Sequence, residues 1–102
     1  MAIECRMAPL AVQLELIESM SIRSPHIRIK DSWVVLGFGE NLEAATYDAL
    51  DRATTLLEKR LGVRRAVAFA LAGVTVDLRI TQIVNGTFGV HAVLPDSALG
   101  TA

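Results

Sequence analysis

The stretch beginning at Leu42 constrains this chain more than any other. Leu42, Ala45, Ala49, Ala53, Leu56 and Leu57 recur at three-to-four spacing, which places them on one face of a helix. Asn41 is suited to cap its start, Glu43 stands in the first turn, Lys59 and Arg60 in the last, and Gly62 follows Leu61. Acid first, base last and glycine beyond are the limits of an amphipathic helix matched to its own dipole. A helix with one apolar stripe needs a second layer to cover it, so the rest of the chain has to supply that layer.

The flanking segments read as β-structure. Val12-Gln13-Leu14-Glu15-Leu16 alternates apolar and polar residues and predicts a strand with Val12, Leu14 and Leu16 on one face. Residues 20–25 read as a loop because Ser21, Ser24 and Pro25 favour turns. Alternation resumes at Ile27-Arg28-Ile29-Lys30. Trp33-Val34-Val35-Leu36-Gly37-Phe38 is apolar on both faces, which predicts a strand covered on both sides or covered by a partner subunit. Gly37-Phe38-Gly39-Glu40-Asn41 then reads as a break before the helix.

A second helix is expected from Arg64 to about Leu71, rich in alanine and able to let neighbouring backbones approach closely. Gly73, Val74, Thr75 and Val76 favour leaving it. Beyond it, Leu78, Ile80, Ile83 and Val84 are strand formers. Asn85-Gly86 signals a hairpin, since a type I′ turn needs positive φ at both central residues. Residues 87–94 form the return strand, with Gly89 weakening it or marking a bulge, and Pro95 ends it. The expected fold is therefore α+β: a mixed or antiparallel sheet, two central helices packed on one face, and a C-terminal β-hairpin.

Bulk properties exclude several function classes. With 102 residues there is room for a single domain, 1–102, and with 52% hydrophobic residues there is material for its core. Ten basic and eleven acidic residues nearly cancel, leaving a formal charge of −1 and no surplus to neutralise a nucleic-acid backbone. Aromatics are 5%, too few for base-stacking platforms. Lys59, Arg60, Arg64 and Arg65 read as a solvated helix end. Cys5 is the only cysteine, so no intrachain disulfide can form, and it reads as an inert buried thiol. The N-terminal residues lack a signal-peptide layout and no apolar run is long enough to span a membrane. The expected setting is cytoplasmic, with neither nucleic acid nor membrane as partner.

Chemistry-bearing motifs are sparse. No zinc spacing, phosphate-binding glycine loop or nucleophile elbow occurs. Gly37-Phe38-Gly39 lacks the third glycine of a dinucleotide fingerprint and precedes a helix that opens with Glu43, an acid where a pyrophosphate would sit. His26 and His91 have no companion ligand at metal spacing, and His91, between Val90 and Ala92 on an expected strand, reads as a structural histidine. Asp77, between helix and strand, reads as a local cap or turn acceptor.

Two blocks carry a family resemblance. Asp77-Leu78-Arg79-Ile80-Thr81-Gln82-Ile83-Val84-Asn85-Gly86, followed by Gly89-Val90-His91-Ala92-Val93-Leu94-Pro95, resembles the closing signature of the acetamidase/formamidase family. Gly37-Phe38, Leu42-Glu43-Ala44-Ala45, Leu56-Leu57-Glu58 and Leu61-Gly62 resemble that family's segment entering, following and leaving a long helix. Ala2-Ile3-Glu4 resembles the end of an acidic motif that begins a strand there. Arg64-Arg65-Ala66-Val67 and Gly73-Val74-Thr75-Val76 depart from the family pattern.

The resemblance implies a relationship to hydrolases that release ammonia from short aliphatic amides. Family members are several-fold longer, so this chain corresponds to their C-terminal portion. The metal-bearing motifs, for a divalent ion such as zinc, belong to the portion it lacks, and no cofactor is expected within this chain. A metal would acidify water and polarise the amide carbonyl while a glutamate moves a proton. Glu4 is the one such group kept by position, hence the catalytic candidate. Asp77, Gln82, Asn85 and His91 are the candidate binding residues. For each a plainer role exists: Asn85 as the turn residue, and Gln82 and His91 satisfying one another across the hairpin.

Three expectations follow. The chain is an amidase-type unit completed by a companion chain that supplies the N-terminal half. Alternatively it is a non-catalytic domain that self-associates through Trp33–Phe38 or a sheet edge, or one that binds a small molecule such as an amide.

Overall fold

The computed structural model describes residues 6–99. Its order is β1 (His26–Ile29), β2 (Ser32–Gly39), α1 (Leu42–Leu61), α2 (Arg65–Thr75), β3 (Asp77–Gln82) and β4 (Phe88–Pro95), closed by a 3-10 turn at Asp96–Leu99. The four strands form one antiparallel sheet in the order β1-β2-β4-β3. The α+β expectation holds: both helices lie in mid-chain on one face of the sheet, and β3 and β4 form the hairpin.

The first helix begins and ends where its local chemistry dictates. Asn41 Oδ1 accepts from the Ala44 N–H at 2.8 Å, and Gly62 closes the helix at φ 63° with its N–H on the Glu58 carbonyl. Its buried stripe of Ala45, Ala49 and Ala53 packs on Val90 and Ala92 of β4. One turn further, Leu56 and Leu57 pack with Val35, Leu94, Ala68 and Ala72. Thr54 is fully buried, and its hydroxyl donates back to the Leu50 carbonyl at 2.8 Å, which satisfies that donor.

The segment Gly37-Phe38-Gly39 is no break: β2 runs through it. A Cβ on Gly37 would stand 2.6 Å from Ala49 Cα, 2.8 Å from the Ala45 carbonyl oxygen and closer still to Ala49 N. Gly39 meets Ala44 and Ala45 in the same way. Two glycines on the sheet and alanines on the helix let the two backbones touch. Asp48 then fastens the contact, accepting from the Phe38 N–H at 2.9 Å and from Arg52 Nε at 3.1 Å.

The second helix continues to Thr75, past the expected end near Leu71. Thr75 Oγ1 donates to the Leu71 carbonyl and Val76 N–H to Ala72, so the ladder passes Gly73 unbroken. Burial of Ala68 and Ala72 against the core outweighs the weak propensity of that stretch.

The strand expected at Val12–Leu16 does not form. Residues 6–25 hold no helix or strand, and Val12, Leu14 and Leu16 are 70%, 91% and 83% exposed. Alternation prepares a segment for a ladder, but no strand among the described residues lies beside it. At the other end, Ile83 and Val84 fall in the hairpin loop rather than in β3.

Candidate functional site

Strand alternation and register sort the sheet residues into two faces. Trp33, Val35 and Gly37 of β2, with Val90, Ala92 and Leu94 of β4, turn toward the helices. The opposite face carries Val34, Leu36 and Phe38 of β2 beside Val93, His91 and Gly89 of β4. Ile27 and Ile29 extend it on β1, and Asp77 and Arg79 on β3. No helix covers this face among the described residues. The expectation for Trp33–Phe38 is met on one side by α1, while on the other Val34 is enclosed and Phe38 stays 41% exposed.

On this open face lies the hairpin's polar group. The β3–β4 register shifts between Ile80 and Gln82, so Thr81 is the extra residue opposite Gly89. A Cβ at Gly89 would be 3.2 Å from Thr81 Cβ and 3.7 Å from the Phe38 ring, so this glycine makes room for both neighbours. The shift brings Thr81 Oγ1 to 2.7 Å from His91 Nδ1. The expected Gln82–His91 pair is therefore corrected: Thr81 satisfies the imidazole, and Gln82 Nε2 donates to the Thr87 carbonyl at 2.9 Å. Asp77 opens β3 and accepts from Arg79 Nε at 2.9 Å instead of capping the helix before it.

Asn85 and Gly86 both have positive φ, 67° and 80°, the backbone their pairing predicts, within a five-residue loop between β3 and β4. Of the candidates, Asp77 and His91 share the open face, whereas Gln82 and Asn85 serve the hairpin end. Glu4 and Cys5 lie outside the described residues. A hydroxyl on an imidazole nitrogen is the geometry of an activated nucleophile, but this pair stands on an open sheet surface. No three His, Cys, Asp or Glu side chains converge on a metal-sized site among the described residues. The described residues therefore offer no donor set to fit the divalent ion that the family resemblance implies.

The basic cluster is exposed, as a solvated helix end should be, and it also makes specific contacts. Arg60 stacks over Trp33 with its guanidinium carbon 4.7 Å from the ring centroid, and Arg28 approaches the same ring at 5.2 Å. Arg65 binds the Asp51 carboxylate and, at 2.6 Å, Glu58. Lys59 and Arg65 also line a cleft of about 450 Å³ at the outer edge of α1, which His26 borders. Sequence reading missed this cleft because its walls come from separate parts of the chain. No helix among the described residues is long and apolar enough to cross a membrane.

The fold has a counterpart among solved structures. The chain is similar to an acetamidase from Bacillus halodurans, with a TM-score of 0.66 and 25% sequence identity. The match covers 76% of this chain but 27% of the acetamidase. No protein-family model and no curated protein matches the sequence.

Proposed function

We propose that this chain is an acetamidase/formamidase-like unit, related to hydrolases that release ammonia from short aliphatic amides, and that it is catalytically incomplete alone. The observation that carries this reading is the likeness to an acetamidase over 76% of the chain, against 27% of that larger protein. In this reading the chain corresponds to the C-terminal portion of such an enzyme. The divalent metal and most of the reacting groups come from a companion chain supplying the N-terminal half. Glu4 is the one acid this chain would bring to proton transfer, and His91, held by Thr81, would line the junction.

The experiment is ammonia release from formamide and acetamide by the purified chain, with and without zinc. The expected result is no turnover above background in either condition. Turnover abolished by Glu4→Gln would show a self-sufficient amidase and overturn the incomplete-unit reading.

A second reading has its own observation. The open sheet face, with Ile27, Ile29, Leu36, Phe38 and Val93 along it, is the kind of surface that pairs with a second copy. In that reading the chain is a non-catalytic, self-associating domain. Sedimentation equilibrium separates the two: a concentration-dependent dimer dissociated by Phe38→Glu supports self-association, and a monomer at all concentrations removes it.

A further inference from the structure

The cleft beside α1 has a charge pattern that amide hydrolysis does not use. It lies between residues 21–23, His26 at the start of β1, and the Asp51, Arg52 and Thr55 stretch of α1. Arg52 and Lys59 stand two turns apart on one stripe of that helix, Arg23 faces them from the preceding segment, and Arg65 closes the cleft from the start of α2. Ile22 and Leu56 give it an apolar lining. Its size, about 450 Å³, falls among ordinary small-molecule sites.

Some of this charge is already answered. Arg65 is held by Asp51 and Glu58, and Arg52 by Asp48. Lys59 and Arg23 take part in none of the salt bridges among the described residues. Positive charge still exceeds negative after Asp48, Asp51 and Glu58 are set against it. His26 senses the surplus: burial pushes its pKa below the ordinary 6.5, and the charges of Lys59 and Arg52 push it further. Cations gathered around a partly apolar hollow repel one another, and a bound anion relieves that repulsion.

We propose that this cleft binds a small, multiply charged oxyanion, of the phosphate-ester or polycarboxylate kind, between Arg23, Arg52 and Lys59. Arginine presents a planar fork matched to such oxygens, and lysine adds a point charge that can follow the ligand. A neutral amide has no use for this wall, so the site stands independently of the amidase reading.

The test is calorimetric titration of the intact chain with pyrophosphate and, separately, with citrate, alongside NMR titration of the His26 ring. The charged groups facing that ring are Lys59, Arg52, Asp51 and Arg65 from the helices and Arg23 from the segment before β1. The expected result is saturable binding that raises the His26 pKa, weakened at least about tenfold in both Lys59→Glu and Arg23→Glu, as for loss of one charge-assisted hydrogen bond. Thermal melts of the two variants verify that they fold. Tighter binding of pyrophosphate assigns the site to phosphate esters, and tighter binding of citrate to polycarboxylates. No saturable binding of either probe up to about 10 mM, tenfold above ordinary metabolite affinities, overturns the proposal. So does binding that both variants leave unchanged.

Discussion

Gly37→Ala tests the packing that positions every element of this fold. The added methyl would lie 2.6 Å from Ala49 Cα and 2.8 Å from the Ala45 carbonyl oxygen, where carbon contacts settle at about 3.5–4.0 Å. The obstacle is helix backbone, which cannot rotate aside as a side chain can. Helix α1 would therefore have to lift by roughly 1 Å from β2 along its Ala45–Ala53 stripe, weakening the dispersion contacts made there. Overpacking a well-filled core costs about 1–3 kcal/mol, and with backbone on the far side the upper end applies, about 3 kcal/mol. A domain this size has only about 5–15 kcal/mol of stability.

At about 4–8 °C per kcal/mol, that cost lowers the melting temperature by roughly 12–24 °C, read by circular dichroism or calorimetry. The control is Gly73→Ala in α2, where nothing lies within 4 Å of the new carbon. There the helix should gain about 0.5–1 kcal/mol. A Gly37→Ala protein that melts within about 3 °C of the parent would refute the close helix–sheet contact.

Two further outcomes follow from the structure. Asn85→Ala places a Cβ residue without a turn-favouring side chain at φ 67°, and should destabilise the chain by roughly 1 kcal/mol in urea unfolding, with an unchanged m-value. Arg28, hydrogen-bonded at 2.6 Å, holds Asp96 below its ordinary 3.8, so the unfolded chain takes up this proton first. The pair's contribution is complete above pH 3.8 and declines as pH falls below it through the lowered folded value. Asp96→Asn should therefore melt below the parent above that range, and the gap should narrow on acidification.

What could be read in advance divides by how local the cause is. The limits of α1 were legible because Asn41 and Gly62 act on backbone within one turn of themselves. The positive φ of Asn85 and Gly86 was legible for the same reason. Gly37 and Gly39 misled because a glycine that breaks a strand and one that admits a helix look identical until the helix is placed. The Gln82–His91 pairing failed by one residue, since the bulge at Thr81 shifts the register and answers to Phe38 two strands away, across Gly89. Lys59 and Arg65 were recognised as cations at a helix end, but the cleft they share with His26 needs three separate segments to meet.

The largest departure, at Val12–Leu16, bears most on function. Its alternation is a strand pattern, and a strand exists only where another offers a ladder. The sheet ends at β1 on one side and β3 on the other, and this segment pairs with neither. Met7, Leu10, Val12, Leu14, Leu16 and Ile17 remain more than half exposed, on the same chain whose sheet leaves one face without helices. A sequence with a strand pattern left unpaired and an apolar sheet face left uncovered among the described residues carries contact surface beyond what they bury. The acetamidase it resembles is matched over only 27% of its length. Both facts favour a unit that completes its burial against further polypeptide, and they differ in what they require of it. A companion chain must present an edge able to pair with Val12–Leu16, whereas self-association needs only the open face. Protection of the amides at residues 12–16 from hydrogen exchange on adding a partner, without protection in the chain alone, would therefore select the companion-chain reading.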